Sequence, residues 1–105
     1  MLTVIAEIRT RPGAHHRQAV LDEFKTLAPV VLQEEGCHGY TPMVDESTSL
    51  DFQATAPDSI VMIEMWESAA HLKAHLETPH MKAFGEKTKN DVLDMRIRIL
   101  KPGIA

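Results

Sequence analysis

The stretch IVMIEMWE at residues 60–67 is the clearest structural signal in this sequence. Its first residues are apolar on both faces, which is typical of a strand in the interior of a sheet. Because side chains alternate along a strand, Ile60, Met62, Glu64 and Trp66 share one face. This face therefore carries an acidic side chain between two large apolar ones, where an unpaired charge is costly.

Three further segments have strand character on either side of it. Residues 2–9 alternate between a core-facing set and a mixed set, and Met95 to Ile99 alternate apolar and basic residues. Residues 37–45 predict another strand, in which Pro42 suggests an edge position or a bulge.

Between about Ala14 and Glu35 the apolar residues recur with the period of a helix. Pro29 predicts a kink or a split in this helix, and Gly36 is the expected stop. The face that defines the helix consists of Val20, Phe24, Leu27 and Val31.

Two shorter helices are predicted after the 60–67 strand. Ser68 caps the first, which Pro79 limits, and Thr78-Pro79 begins the second, which runs to about Asn90. The resulting order β-α-β-β-α-(α)-β predicts an α+β, ferredoxin-like β-α-β-β-α-β fold with an antiparallel sheet and helices on one face. A second subunit is expected to cover the other face, so that two facing sheets enclose a cavity.

Length and composition restrict the class of protein. With 105 residues we expect one domain spanning 1–105, and a net charge of −4 gives no reason to expect nucleic-acid binding. The sequence contains no run of 18 apolar residues, so we expect no membrane span. Its N-terminus lacks the pattern of a secretory signal. Cys37, the single cysteine, suits a reducing compartment, so we expect a cytoplasmic protein.

Glu64 and Trp66 are the first candidate site residues. Glu64 either forms a salt bridge with Arg96 or Arg98 on the last strand or has a functional role. Trp66 is either core or a hydrogen-bond donor to a substrate oxygen, since its indole N–H needs an acceptor.

Histidines cluster in the two short helices. His71 and His75 lie on one helix face, and with Glu67 they invite a two-histidine, one-carboxylate metal interpretation, but the sequence lacks a recognised metal motif. We therefore expect no metal. His75, beside the leucines of the buried side, is the strongest pocket candidate, and His71 and His80 are weaker substrate-binding candidates.

Two other segments could contribute to a pocket. His38 and Tyr40 lie on one predicted strand face, next to glycines that leave room for a ligand or simply allow close packing. Leu50 and Phe52 are apolar residues in a polar loop, residues 45–59, which we expect to close over the pocket.

Several motifs together resemble the antibiotic biosynthesis monooxygenase (ABM) family. They are MLTVIAEIR at residues 1–9, EEGCHGY at 34–40, Glu64-x-Trp66-Glu67-Ser68, and Ala74-His75-Leu76-x-Thr78-Pro79-His80, and the resemblance covers nearly the whole chain. It implies a homodimeric α+β barrel that oxygenates quinols or phenols with neither metal nor flavin. Ile8 stands where haem-degrading relatives carry an asparagine, which argues against haem.

The preferred hypothesis is a cofactor-independent quinol monooxygenase that acts on hydroquinones or quinones with dioxygen. His75 would be the base, Trp66 and Tyr40 the donors to a phenolate oxygen, and Glu64 the group that orients them. The apolar walls would come from Met62, Met65, Leu50 and Phe52. An isomerase of a small carbonyl metabolite and a non-enzymatic quinone-binding module stay open as alternatives.

Overall fold

A computed structural model describes all residues from 1 to 105. The strands are β1 (Leu2–Thr10), β2 (Cys37–Met43), β3 (Ser59–Trp66) and β4 (Val92–Leu100). The helices are α1 (Ala14–Val31), α2 (Ala69–Leu76) and α3 (Pro79–Thr88). The predicted element order is therefore confirmed, and β4 begins earlier than its alternation suggested.

The four strands form one antiparallel sheet in the order β2-β3-β1-β4. β3 lies inside the sheet, as its two apolar faces predicted. The helices cover one face, and the core between them and the sheet includes Val4, Ala6, Phe24, Ile60 and Trp66. This is the ferredoxin-like α+β arrangement expected from the sequence.

The helix boundaries follow local side-chain chemistry. Ser68 accepts a hydrogen bond from the backbone N–H of His71, and Thr78 accepts one from the backbone N–H of Met81. These N-caps satisfy backbone donors that the first turn of a helix leaves unpaired, so they fix where α2 and α3 begin.

Two expectations for α1 need correction. The helix continues through Pro29 without splitting, and it ends at Val31 rather than at Glu35. Gly36 lies beyond that end, with a φ of +82°, and a Cβ there would come within 2.4 Å of the His71 ring. The glycine thus permits a close approach between the α1–β2 connection and α2.

No helix in the chain is both long enough and apolar enough to span a membrane.

Candidate active site

A cavity of about 380 Å³ lies between the helix-bearing side of the sheet and α3. Its volume falls within the usual range for a small-molecule pocket, about 300–1,000 Å³. Tyr40, Glu64 and His75 contribute polar groups to it, as do Thr88 and Lys89. The walls are otherwise mostly apolar, formed by Ala6, Ile8, Phe24, Met62, Met81, Phe84, Val92, Met95 and Ile97. The cavity is thus on the helical side of a single chain, and the cavity expected between the facing sheets of two subunits stays a prediction.

Glu64 is held by Trp66 and not by an arginine. The indole Nε1–H of Trp66 donates to Glu64 Oε1 at 2.9 Å, and Glu64 is 6% exposed. Arg96 and Arg98 face away, because they pair in register with Glu7 and Ile5 on the other side of the sheet. Of the two alternatives given for Glu64, the salt bridge is therefore excluded, because side chains alternate along each strand.

Burial raises the pKa of the Glu64 carboxyl, and the nearby Glu34 charge adds to this, while the Trp66 hydrogen bond and His75 oppose it. Trp66 is fully buried and does not line the cavity, so its N–H is committed to Glu64 instead of facing a ligand.

His75 is the most enclosed titratable side chain next to the cavity, at 1% exposure. Its ring centroid lies 4.6 Å from that of Trp66 and 5.6 Å from that of Tyr40. Its Nδ1 lies 2.8 Å from Glu34 Oε2. α2 therefore turns this histidine towards the core, as its leucine neighbours predicted.

Glu34 is a site residue that sequence reasoning missed. The same oxygen, Oε2, also lies 2.7 Å from His80 Nε2, so one carboxylate joins two histidines. These three side chains could hold a transition metal ion, since imidazole and carboxylate suit such ions. The distances of 2.7–2.8 Å are also those of charge-assisted N–H···O⁻ hydrogen bonds, which satisfy all three groups without an ion.

Tyr40 contributes a hydroxyl that has no strong hydrogen-bond partner within the chain. Its strongest contact within the chain is the weak acceptor Met81 Sδ, at 4.0 Å. Burial raises the pKa of this phenol, with the charges of Glu64 and Glu34 adding to the effect. Tyr40 consequently stays a neutral O–H donor at physiological pH.

The structure separates the two methionines expected to form the walls. Met62 lies on the cavity side of β3, whereas Met65 lies on the opposite face, where its sulfur accepts from Thr3 Oγ1 at 3.3 Å. The alternation of side chains along β3 makes it impossible for both to face one cavity.

His38 and His71 also lie away from the cavity. The pairing of β2 with β3 shifts between Cys37 and Gly39, and this irregularity leaves His38 half exposed, 3.7 Å from Glu67. His71 Nδ1 bonds instead to Ser68 Oγ at 2.7 Å. His80 belongs to the Glu34 cluster and is not in the cavity wall.

Leu50 and Phe52 do not reach the cavity either. They are 53% and 81% exposed, and the loop that carries them flanks a different depression, next to Met43 and Val61. The expected closure of this loop over the cavity is not seen in the single chain.

α3 supplies wall residues that the sequence analysis did not select. Met81, Phe84, Gly85 and Thr88 all line the cavity. Their spacing of i, i+3, i+4 and i+7 is that of one helix face, so the signal was present in the sequence.

The similarity of the chain to known proteins places it in a known class. The family model described as "Antibiotic biosynthesis monooxygenase", ABM, matches residues 1–87. This chain belongs to the ABM family.

Particular relatives support the same assignment. The chain is 72% identical over 104 residues to the probable quinol monooxygenase YgiN of Escherichia coli K12, covering 99% of this chain and all of the relative. It is 28% identical to the crystal structure of PA3566 from Pseudomonas aeruginosa, with a TM-score of 0.78 over 96% of this chain and 92% of that one. Rv0793 from Mycobacterium tuberculosis has the same fold at 19% identity, with a TM-score of 0.77 over 99% and 96% of the two chains.

Proposed function

We propose that this protein is a cofactor-independent quinol monooxygenase, an oxidoreductase that joins a hydroquinone with dioxygen in the cavity beneath α3. The observation that carries the proposal is a mostly apolar cavity in which His75, Tyr40 and Glu64 meet. Family membership and the name of the Escherichia coli relative support this reaction class.

The overall reaction needs no external reductant. A hydroquinone and dioxygen give a hydroxyquinone and water: one oxygen atom enters the ring and the other leaves as water. The four electrons that reduce dioxygen all come from the quinol. The protein therefore has to favour deprotonation of the quinol, because the quinolate transfers an electron to dioxygen more readily than the neutral quinol does.

The side chains divide this work between them. His75 accepts the phenolic proton, since an imidazole exchanges protons near neutral pH. Tyr40 donates a hydrogen bond to the developing phenolate oxygen, and its pKa, raised by burial, keeps it in the donor form. Glu64, fixed by Trp66, offers its carboxyl to the second quinol hydroxyl.

The apolar walls serve the same chemistry. Met62, Met81 and Phe84 contact a flat aromatic ring well, because aromatic and thioether side chains pack closely against π surfaces. These walls also exclude water, which strengthens each hydrogen bond to the quinolate. The absence of water also protects the semiquinone radical that forms when the quinolate transfers an electron to dioxygen.

An oxygen electrode tests the proposal. Purified protein should increase oxygen uptake with 1,4-naphthohydroquinone well above its autoxidation rate, and ¹⁸O₂ should leave one labelled oxygen atom in the product. Heat-denatured protein supplies the background rate. Turnover of a small carbonyl compound without oxygen uptake would favour an isomerase, and quinone binding without turnover would favour a binding module; either result would reject the monooxygenase.

A further inference from the structure

We propose that Glu34 is a positioning residue that fixes His75 in a single tautomer, with the proton on Nδ1 and the lone pair on Nε2. His80 holds the Glu34 carboxylate in place for this purpose. The use of Nε2 as a base rests on the proposed function, whereas the tautomer itself does not.

The hydrogen-bonding capacity of the three groups determines the tautomer. An ionised carboxylate only accepts hydrogen bonds, so an imidazole nitrogen within 2.8 Å of it must carry a proton. Both His75 Nδ1 and His80 Nε2 meet this condition at Glu34 Oε2. A neutral His75 then has its lone pair on Nε2, which is the nitrogen that can accept a substrate proton.

The local backbone makes this arrangement rigid. Glu34 lies in the turn after α1, where its N–H donates to the Val31 carbonyl at 2.9 Å and its own carbonyl accepts from the Cys37 N–H at 3.2 Å. His75 lies in the last turn of α2, and His80 is the second residue of α3. One carboxylate therefore links the ends of three helices.

Other polar groups face His75 without forming this bond. Glu64 approaches from β3, but its hydrogen bond is with Trp66, and Tyr40 from β2 meets His75 edge to face. Among these groups, Glu34 is the carboxylate bonded to the His75 ring. When His75 becomes an imidazolium, Glu34 is thus the adjacent anion that stabilises it.

Long-range ¹H–¹⁵N correlation spectra of the full chain, labelled at histidine nitrogens, test the tautomer directly. His75 should show a protonated Nδ1 and an unprotonated Nε2, and Glu34→Ala should lower the Nδ1-protonated fraction. Glu35→Gln is the matched control, because the Glu35 side chain is 93% exposed, and it should leave the His75 signals unchanged. A wild-type His75 that carries its proton on Nε2 and not on Nδ1 would overturn the proposal. A change in the wild-type His75 signals on adding a chelator would also overturn it, because a bound metal ion would then orient the ring.

Kinetics of quinol oxidation provide the second readout. Glu34→Gln keeps the side-chain shape but removes the charge, so kcat should fall about 10–100-fold, as for other residues that orient a functional histidine. KM should change little because Glu34 does not line the cavity. The ascending limb of kcat against pH should move to lower pH in Glu34→Gln, because this variant lacks the negative charge next to the His75 ring.

Equal kcat values for wild type and Glu34→Gln would contradict the positioning role. If the wild-type protein oxidises no quinol, the proposed function fails, while the tautomer pattern still decides whether Glu34 orients His75.

Discussion

His75 combines three properties that a general base in a closed cavity needs. It is almost fully buried, it lines the cavity, and a carboxylate oxygen lies 2.8 Å from its Nδ1. Burial sets His75 apart from the other five histidines of the chain, which are partly or fully exposed.

His75→Ala should therefore be the most damaging single substitution for quinol oxidation. Loss of a general base lowers the rate by about 10²–10⁴-fold. The oxygen-uptake rate at saturating quinol measures the effect, with His15→Ala as the control because His15 is exposed and is not part of the cavity lining. Full activity of His75→Ala would mean that the base is another group.

Glu64 should make the stability of the fold depend on pH. Burial raises the pKa of this carboxyl above its value in the unfolded chain, so the folded state binds the proton more tightly. The stabilisation that the protonated form provides is complete below the unfolded pKa. It is lost as pH rises from there through the raised folded pKa.

Glu64→Gln should remove this dependence while keeping an oxygen for Trp66. Compared with wild type, the variant should gain stability in urea unfolding as pH increases from about 4 to 8. A constant difference between the two proteins over this range would show that Glu64 ionises as easily in the fold as in the unfolded chain.

Glu34 differs in one physical respect from the candidate residues that the sequence indicated. Glu64, Trp66 and His75 lie inside strong local patterns, which fix the direction of their side chains. Glu34 contacts His75 and His80, which follow it by 41 and 46 positions. No local period predicts such a contact, because it depends on how the helices pack.

At the scale of elements, the junction of the α1–β2 connection with α2 depends on Gly36. Its φ of +82° is in the region that favours glycine, and the His71 ring occupies the space that a Cβ would need. The Gly36 carbonyl also accepts a hydrogen bond from the Glu67 N–H at 2.8 Å, which ties this connection to the end of β3.

Gly36→Ala should accordingly destabilise the protein by about 1–3 kcal/mol, the usual cost of a strained backbone position. Gly85→Ala is the matched control, since a Cβ on this α3 residue meets nothing within 4 Å. It should stabilise by up to about 1 kcal/mol through helix propensity. Urea unfolding measures both, and equal effects would show that the approach of His71 imposes no constraint.

The elements themselves were largely predictable because each one carries its own period and its own stop or start signal. Ser68 and Thr78 illustrate this, since both act as the caps that their sequence context indicated. The irregularity at His38 was harder to predict from the sequence. Pro42 suggested an edge position or a bulge, but it did not indicate which residue would be displaced.

The whole molecule exposes more surface than a self-sufficient chain of its size. Its accessible area is 7077 Å², against roughly 5,900 Å² expected for a monomer of 11.7 kDa. Its radius of gyration is 14.4 Å, against about 12.9 Å for a compact domain of this length. The difference between the two areas is larger than the roughly 800 Å² that each partner contributes to a standard interface.

The sheet face without helices is the surface we expect a second copy to cover. Ile5 and Ile63 pair across β1 and β3 on this face, and both are only partly buried in the single chain. A lysine at position 63 would place a charge inside such an interface, where the loss of its hydration costs several kcal/mol. We propose that the chain forms a dimer through this face, and Ile63→Lys should dissociate it.

Sedimentation velocity at micromolar concentration measures this outcome. The wild type should sediment with the mass of two chains and Ile63→Lys with the mass of one. Val30→Lys, on the exposed side of α1, should remain dimeric because it adds the same charge to a solvated surface. A monomeric wild type would reject the dimer, and dissociation by Val30→Lys alone would move the interface to the helices.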